Sequence, residues 1–161
     1  MLTWFTSTTF GKLIQTFLIS MVPVIELRFG LPYGIALLGM EKYWMVFIAA
    51  VVGNMVPVPF IIIFISRIFD LLRRRFARLD GFITRLEKRA EDKSETVEKY
   101  GLIGLVILVA IPLPGTGAWT GSLVAAIMKM KLKQAIPAIF VGVVIAGLIM
   151  SAVTYGVIHI F

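Results

Sequence analysis

Residues Pro112 to Gly121 read P-L-P-G-T-G-A-W-T-G, and this run separates two short apolar stretches. A second break, P-V-I-E-L-R-F-G-L-P, extends from Pro23 to Pro32 and also lies between two short apolar stretches. Because proline and glycine end helices, each break predicts a helix, a turn and a second helix. At membrane depth, irregular backbone is tolerated only inside protein or beside water, so each unit is predicted to be a re-entrant hairpin.

The composition of the chain indicates that these stretches lie in a membrane. Hydrophobic residues make up 59% of the 161 residues and charged residues 16%, and the mean hydropathy is +0.95. Soluble domains carry about 45–50% apolar and about 25% charged residues. The polar residues are too few to cover a soluble core, so the sequence predicts an all-α integral membrane protein.

The apolar segments have two lengths. Residues 42–66 and 134–158 are long enough, as helices, to cross a hydrocarbon layer of about 30 Å. The hairpins are predicted at residues 13–40 and 102–128, with arms of about 15–20 Å that reach only the middle of the membrane. Four full spans are the alternative, which would bury charges and prolines inside helices.

The two halves align without gaps at an offset that places Pro23 on Pro112 and Gly53 on Gly142. Each half has one hairpin and one crossing helix, and an odd number of crossings gives the two copies opposite orientations. The predicted organisation is therefore an inverted-topology repeat. Its parts are residues 1–66 (repeat one), 67–99 (an amphipathic helical linker) and 100–161 (repeat two).

Basic residues are concentrated in the linker. Ten of the sixteen lysines and arginines lie between Arg67 and Lys99, and three more are Lys129, Lys131 and Lys133. The positive-inside rule therefore predicts that residues 67–99 are cytoplasmic. The linker also holds seven of the nine acids, and it has no nucleic-acid recognition motif, so no nucleic-acid partner is expected.

Apolar residues in the linker recur at steps of three and four, which predicts a helix with an apolar seam. Because one isolated helix cannot bury its own seam, an extended helix with a partner is expected. The alternative is a helix packed under its own bundle. A homodimer is also expected because two crossings offer little protein to surround two polar hairpins. The seam residues are Phe69, Leu72, Phe76, Leu79, Ile83, Leu86, Ala90 and Val97.

Glu26 and Arg28 are the ionisable residues within a predicted membrane-depth segment. Charges at that depth are costly, so the pair marks a candidate functional site. Glu26 is the candidate proton-coupling residue and Arg28 the candidate contact for an anionic substrate. The alternative is that the pair only holds the hairpin turn.

The second break supplies the other candidate substrate-binding residues. The free backbone N–H groups of Gly115, Thr116 and Gly117 precede a helix whose positive N-terminal end suits an anion. Trp119 and Thr120 are expected to line the cavity. Structural roles in the hairpins are expected for Pro23, Pro32, Pro112 and Pro114. Asn54 is expected to mark a kink or to make a hydrogen bond across the repeat interface.

No catalytic constellation is present in the sequence. The chain has no cysteine and one histidine, and it lacks the Gly-rich phosphate loop of ATPases. We therefore expect no enzymatic activity, no metal site and no cofactor.

Three motifs carry a family resemblance: E-L-R-F-G-L-P from Glu26, G-N-M-V-P-V-P from Gly53 and A-I-P-L-P-G-T-G-A-W-T-G from Ala110. They resemble the prokaryotic small multi-drug export protein family over nearly the whole chain. The layout is also distantly similar to DedA-like (SNARE-associated, VTT-type) membrane proteins, which have paired re-entrant hairpins in inverted repeats. These are linked to the movement of lipid-carrier phosphates and other lipids across bilayers.

The resemblance implies a multi-pass protein of the prokaryotic inner (plasma) membrane that transports a drug-like molecule or a lipid-carrier phosphate. The second hairpin here lacks the arginines of DedA-like proteins, so Arg28 and backbone dipoles would have to bind an anion. The sequence thus predicts a secondary transporter for an amphiphilic substrate. The alternative is a scaffold that assembles through the cytoplasmic helix without transporting anything.

Overall fold

The computed structural model describes residues 7–75, 80–113 and 115–160, and the backbone alone at Ser66 and residues 158–160. This described part consists of α-helices, one 3-10 helix and the turns between them. The helices are α1 (Thr9–Met21), α2 (Glu26–Leu38), a 3-10 helix (Met40–Lys42), α3 (Tyr43–Met55), α4 (Pro57–Arg75), α5 (Asp80–Ala110), α6 (Ala118–Ile127) and α7 (Leu132–Ile160).

Two helical stretches are long and apolar enough to cross a membrane. They are Met40–Ile65 and Leu132–Val157, each of 26 residues. They coincide with the two long segments expected from the sequence, so the prediction of an all-helical chain with two such segments is confirmed. The first stretch is interrupted at Val56, between α3 and α4, because Pro57 and Pro59 follow there.

Asn54 lies one turn before this interruption. Its side chain is only 3% exposed, and its Oδ1 has no hydrogen-bond partner in the described structure. Of the two roles expected for Asn54, a kink and a hydrogen bond across the repeat interface, its position at the end of α3 fits the kink.

The first hairpin consists of α1 and α2, each of 13 residues and therefore about 20 Å long. The expected break from Pro23 to Pro32 was too wide, because the turn occupies only residues 22–25 and α2 begins at Glu26 rather than near Phe29. Pro32 lies inside α2. A proline at this position removes one helical hydrogen bond, and tight packing of Leu31 and Ile35 compensates for that loss.

The second hairpin consists of the end of α5 and α6. Within α5, Gly101 has φ 58° and ψ −133°, which divides it into a first arm (residues 80–100) and a second arm (residues 102–110). The chain reverses there, since the Cα of Gly104 lies against the backbone of Thr96 and Val97. The break between the second arm and α6 comprises residues 111–117.

The first arm packs against its own chain. Ile83, Ala90 and Val97, spaced by seven residues, are 1%, 1% and 2% exposed. The single chain therefore already buries this part of the seam, as in the alternative in which the helix packs under its own bundle. Phe76 and Leu79 of the seam lie outside the described residues.

The hairpins and crossing helices pack in a matching order. Helix α1 packs on α2 and α3, and the second arm of α5 packs on α6 and α7. Across the halves, α2 contacts α7 and α6 contacts α4. The common core contains Leu31, Val46, Leu105, Val124, Ile139 and Val143. This packing brings the turns of the two hairpins together.

Candidate functional site at the hairpin turns

The turn of the first hairpin has an unusual backbone. Val24 has φ 74° and Glu26 has φ 50°, in the left-handed region that side chains with a Cβ rarely occupy. Glu26 is nevertheless 3% exposed. The local backbone therefore directs this carboxylate into the protein.

The Glu26 carboxylate lies at the N-terminus of α6 in the other hairpin. Its Oε1 accepts a hydrogen bond from the Trp119 backbone N–H at 3.1 Å, and the Ala118 backbone N–H also donates to it. Helix α6 has no side-chain cap of its own at Gly117. Glu26 therefore caps α6 from the opposite hairpin, where a negative charge is favoured by the helix dipole.

Arg28 contacts the carbonyl side of the same break. Its Nη1 donates to the carbonyl oxygen of Leu113, and its Nη2 donates to the Thr116 hydroxyl at 2.7 Å. That hydroxyl also lies 2.6 Å from the carbonyl oxygen of Ile111. Thr116 thus connects Arg28 to the backbone that follows α5.

Glu26 and Arg28 do not pair with each other. In the part of the chain that the structure describes, both ion pairs are made by Arg73, with Asp80 and Glu87. The acid instead faces N–H groups at the start of α6, and the base faces carbonyl groups after the end of α5. The two charges of the first hairpin therefore complement both ends of the break in the second.

Trp119 links the hairpins in the reverse direction. Its indole Nε1–H donates to the carbonyl oxygen of Met21, the last residue of α1, at 3.1 Å. Each hairpin thus supplies hydrogen-bond partners to backbone groups that the other hairpin's turn leaves free.

A cavity of about 480 Å³ lies beside these contacts, and we call it the turn cavity. Of the expected substrate-binding residues, Arg28, Gly115, Thr116, Trp119 and Thr120 line it, together with Glu26. Gly117 is buried and does not line it.

The residues expected to have structural roles are dispersed. Pro23 lines the turn cavity, whereas Pro32 and Pro112 do not. Pro114 lies outside the described residues. Gly117 also has a structural role, because its φ of 109° suits glycine and a Cβ there would collide with the Glu26 carboxylate.

Two walls of the turn cavity were not foreseen from the sequence. Helix α4 contributes Ile61, Ile65 and Phe69, and the first arm of α5 contributes Phe82, Leu86, Arg89 and Ala90. Spacings of three and four residues place each set on one helix face. The sequence could therefore have identified these two faces, but it could not show that they line a cavity. The helix expected to be a linker is therefore part of the site.

A smaller cavity of about 360 Å³ adjoins the first. Arg89 and Gly115 line both cavities, and Asp92 and Lys93 line the smaller one. The apolar interior of the turn cavity thus continues into a region lined by charged side chains of the first arm.

Comparison with known proteins identifies a family. The family model described as "Putative small multi-drug export protein" matches residues 26–149, about three quarters of the chain, from Glu26 to near the end of α7. Searches of the curated proteins and of the solved structures gave no match. Together with the two long apolar helices, the family indicates a membrane protein with a role in export. The chain belongs to the small multi-drug export protein family.

Proposed function

We propose that the protein is a secondary transporter whose amphiphilic substrate binds in the turn cavity, between the two hairpins. The turn cavity is the observation that carries this proposal. Its volume of about 480 Å³ lies in the range of about 300–1,000 Å³ typical of small-molecule sites. Apolar side chains form most of its wall, and the charged side chains of Glu26, Arg28 and Arg89 also line it, a combination that matches an amphiphile. The export role in the family's name also supports transport.

Re-entrant hairpins are part of this proposal, and the contact between the turns supports them. Four full spans would need residues 13–40 and 102–128 to be continuous helices, whereas the chain turns after Met21 and after Ala110. If every hairpin arm were itself a full span, the two turns would lie on opposite faces of the membrane, about 30 Å apart. Here Glu26 and Trp119 are hydrogen bonded at 3.1 Å. Arms of about 20 Å in the first hairpin and about 15 Å in the second, which meet at their turns, fit hairpins entering from opposite sides.

The inverted repeat is supported by a pair of close helix contacts. A Cβ on Gly53 would collide with the carbonyl oxygen of Phe17, and one on Gly142 would lie 3.0 Å from the carbonyl oxygen of Val106. Gly53 corresponds to Gly142 at the repeat offset, and Phe17 corresponds to Val106. A similar close contact thus occurs at equivalent positions in both halves, which supports the proposed repeat.

Glu26 is the proposed proton-coupling residue. Its left-handed backbone costs roughly 1–2 kcal/mol, and strain of this kind is concentrated at functional sites. Protonation would remove the negative charge that the N-terminus of α6 attracts. Proton binding would therefore weaken the contact between the hairpins, which is the contact that transport through the turn cavity has to open.

Flux through purified protein in liposomes tests the proposal. Fluorescent anionic and cationic amphiphiles would be followed with and without a proton gradient, in the native protein and in Glu26→Gln. We expect gradient-driven flux that Glu26→Gln abolishes, and the matched control, Glu41→Gln at an exposed position, should retain it. Flux no greater than in protein-free liposomes would contradict transport, and flux indifferent to both the gradient and Glu26→Gln would contradict coupling.

We further propose a homodimer or larger oligomer in the prokaryotic inner membrane, with residues 67–99 in the cytoplasm. Many apolar side chains are exposed on the single chain, including Phe60, Ile63 and Phe64, and lipid or another copy has to cover them. Mass measurement in detergent tests the oligomer, since a stable, active monomer would contradict it.

The scaffold alternative has less support than transport. A scaffold that assembles through residues 67–99 needs a free apolar seam on that helix. In the single chain the first arm instead buries Ile83, Ala90 and Val97 and contributes four residues to the turn cavity.

A further inference from the structure

Arg89 lies at an exposed position on the first arm of α5, where its side chain borders a largely apolar cavity. It lines both the turn cavity and the smaller one. Within residues 7–75, 80–113 and 115–160 it makes no ion pair or hydrogen bond with another residue. By contrast, Arg73 pairs with Asp80 and Glu87.

Arg28 is already occupied. Both of its terminal nitrogens donate to the second hairpin, one to the Leu113 carbonyl oxygen and one to the Thr116 hydroxyl. Recruiting Arg28 to a substrate would break both of these contacts with the second hairpin. The N-terminus of α6 is likewise occupied by Glu26. The two anion sites expected from the sequence are thus filled by groups of the protein itself.

The surroundings of Arg89 favour a negative charge attached to an apolar chain. Of the two carboxylates beside it, Glu26 is held at α6, and Asp92 lies in the smaller cavity next to Lys93. Arg89 and Lys93 together exceed Asp92 by one positive charge. The turn cavity, which Arg89 also lines, has an apolar wall formed by Ile61, Ile65, Phe69, Phe82, Leu86 and Leu123.

We infer that Arg89 binds the anionic headgroup of an amphiphile whose alkyl chain occupies the turn cavity. This inference rests on the proposed function and names its substrate class, an alkyl chain with a phosphate or similar anion. It assigns the headgroup contact to the first arm of α5 rather than to Arg28. A guanidinium suits this role because its fork of N–H donors matches a phosphate oxygen pair.

The test uses Trp119 as a reporter in the cavity wall. In a Trp4→Phe, Trp44→Phe background, full-length protein in phosphatidylcholine nanodiscs would be titrated with dodecyl phosphate brominated at the chain end, because bromine quenches tryptophan on contact. The same chain carrying a trimethylammonium head tests charge, and inorganic phosphate as competitor tests whether the chain is needed.

We expect saturable quenching by the alkyl phosphate, weaker binding of the trimethylammonium compound and no competition by millimolar inorganic phosphate. Arg89→Gln should raise the apparent Kd about tenfold or more, the loss expected for a charge-assisted hydrogen bond. Arg89→Lys should recover part of it. The matched control is Arg85→Gln, which removes the same charge from the same arm. Arg85 is exposed and lines neither cavity, so this substitution should change the Kd by less than about twofold.

Equal losses in Arg89→Gln and Arg85→Gln would overturn the inference, since they would indicate general surface attraction. The inference would also be overturned if inorganic phosphate competed as effectively as unlabelled dodecyl phosphate, because binding would then not require the alkyl chain. The proposed function is tested separately. Binding that depends on Arg89 without flux in liposomes contradicts transport alone, and proton-driven flux of dodecyl phosphate unaffected by Arg89→Gln contradicts the Arg89 assignment alone.

Discussion

The carboxylate of Glu26 and the backbone N–H of Trp119 are hydrogen bonded at 3.1 Å although 93 positions separate them in the sequence. This bond joins the turn of one hairpin to the first turn of a helix in the other. It gives a buried acid a partner that is fixed in space and unable to change its own charge. The strength of the link between the hairpins therefore depends on the charge of Glu26.

Replacing Glu26 with alanine should destabilise the protein. The N–H groups at the start of α6 would lose their acceptor, and leaving such groups unsatisfied costs about 1–3 kcal/mol. Glu26→Gln should cost less because the amide oxygen still accepts from Trp119. Thermal unfolding in detergent measures the stability of both variants, with Glu41→Ala at an exposed position as control. An unfolding midpoint of Glu26→Ala equal to that of the native protein would contradict the capping role.

Two neighbouring glycines should respond differently to alanine. Gly115 and Gly117 both have positive φ, 81° and 109°, so alanine at either position is strained by roughly 1–2 kcal/mol. At Gly117 the added Cβ also collides with the Glu26 carboxylate, whereas at Gly115 it meets open space. Gly117→Ala should therefore lower the unfolding temperature more, and the excess should shrink in a Glu26→Ala background. Equal effects of the two substitutions would show that the close approach is unimportant.

The equivalent helix contacts of the two halves should both be sensitive to size. Gly53→Ala and Gly142→Ala each push a methyl group towards the backbone of a neighbouring helix, and overpacking of this kind costs about 1–3 kcal/mol. The control is Gly156→Ala in α7, where nothing lies within 4 Å, and it should be neutral or stabilising by up to about 1 kcal/mol. Unfolding curves in detergent would distinguish them, and a harmless Gly53→Ala would argue against the close packing of α1 and α3.

Cysteine labelling should separate hairpins from full spans. Val24 and Thr120 belong to different hairpins but line the same cavity, so cysteines there should react slowly with an impermeant reagent, both from the cytoplasmic side. If every hairpin arm instead crossed the membrane, the same two positions would lie near opposite faces. Cysteines at Glu41 and Lys99, both exposed, serve as fast controls for the outer and cytoplasmic sides. The absence of native cysteine makes the labelling specific. If Val24→Cys and Thr120→Cys reacted from opposite sides of the membrane, the two residues would not line one shared cavity.

The sequence predicted the helical elements well because their causes are local. Composition and segment length predicted the two long apolar helices, and proline and glycine predicted the two breaks. The width of the first break was overestimated, since a proline such as Pro32 is tolerated within a helix when packing compensates for one lost hydrogen bond. Sequence alone does not report that compensation.

The partners of the site residues could be predicted only in part. The sequence predicted that an anionic substrate binds at the helix N-terminus near Ala118, and the group that lies there in the structure is Glu26 of the same chain. That pairing depends on how two distant hairpins meet, which no local pattern encodes. Arg89 was missed for a related reason, because it lies among ten basic residues that the positive-inside rule assigns together to a cytoplasmic segment.

The contacts of α2 with α7 and of α6 with α4 determine when the site can form during translation. The first hairpin is synthesised before α7, the helix that covers one of its sides, and helices α3 to α6 are made in between. Until then the face of α2 that α7 will cover needs another neighbour, such as lipid or the membrane insertion machinery. The site can therefore be completed only after α7 has been made. In a chain that stops before residue 132, Glu26 and Arg28 would lie in an incompletely packed structure.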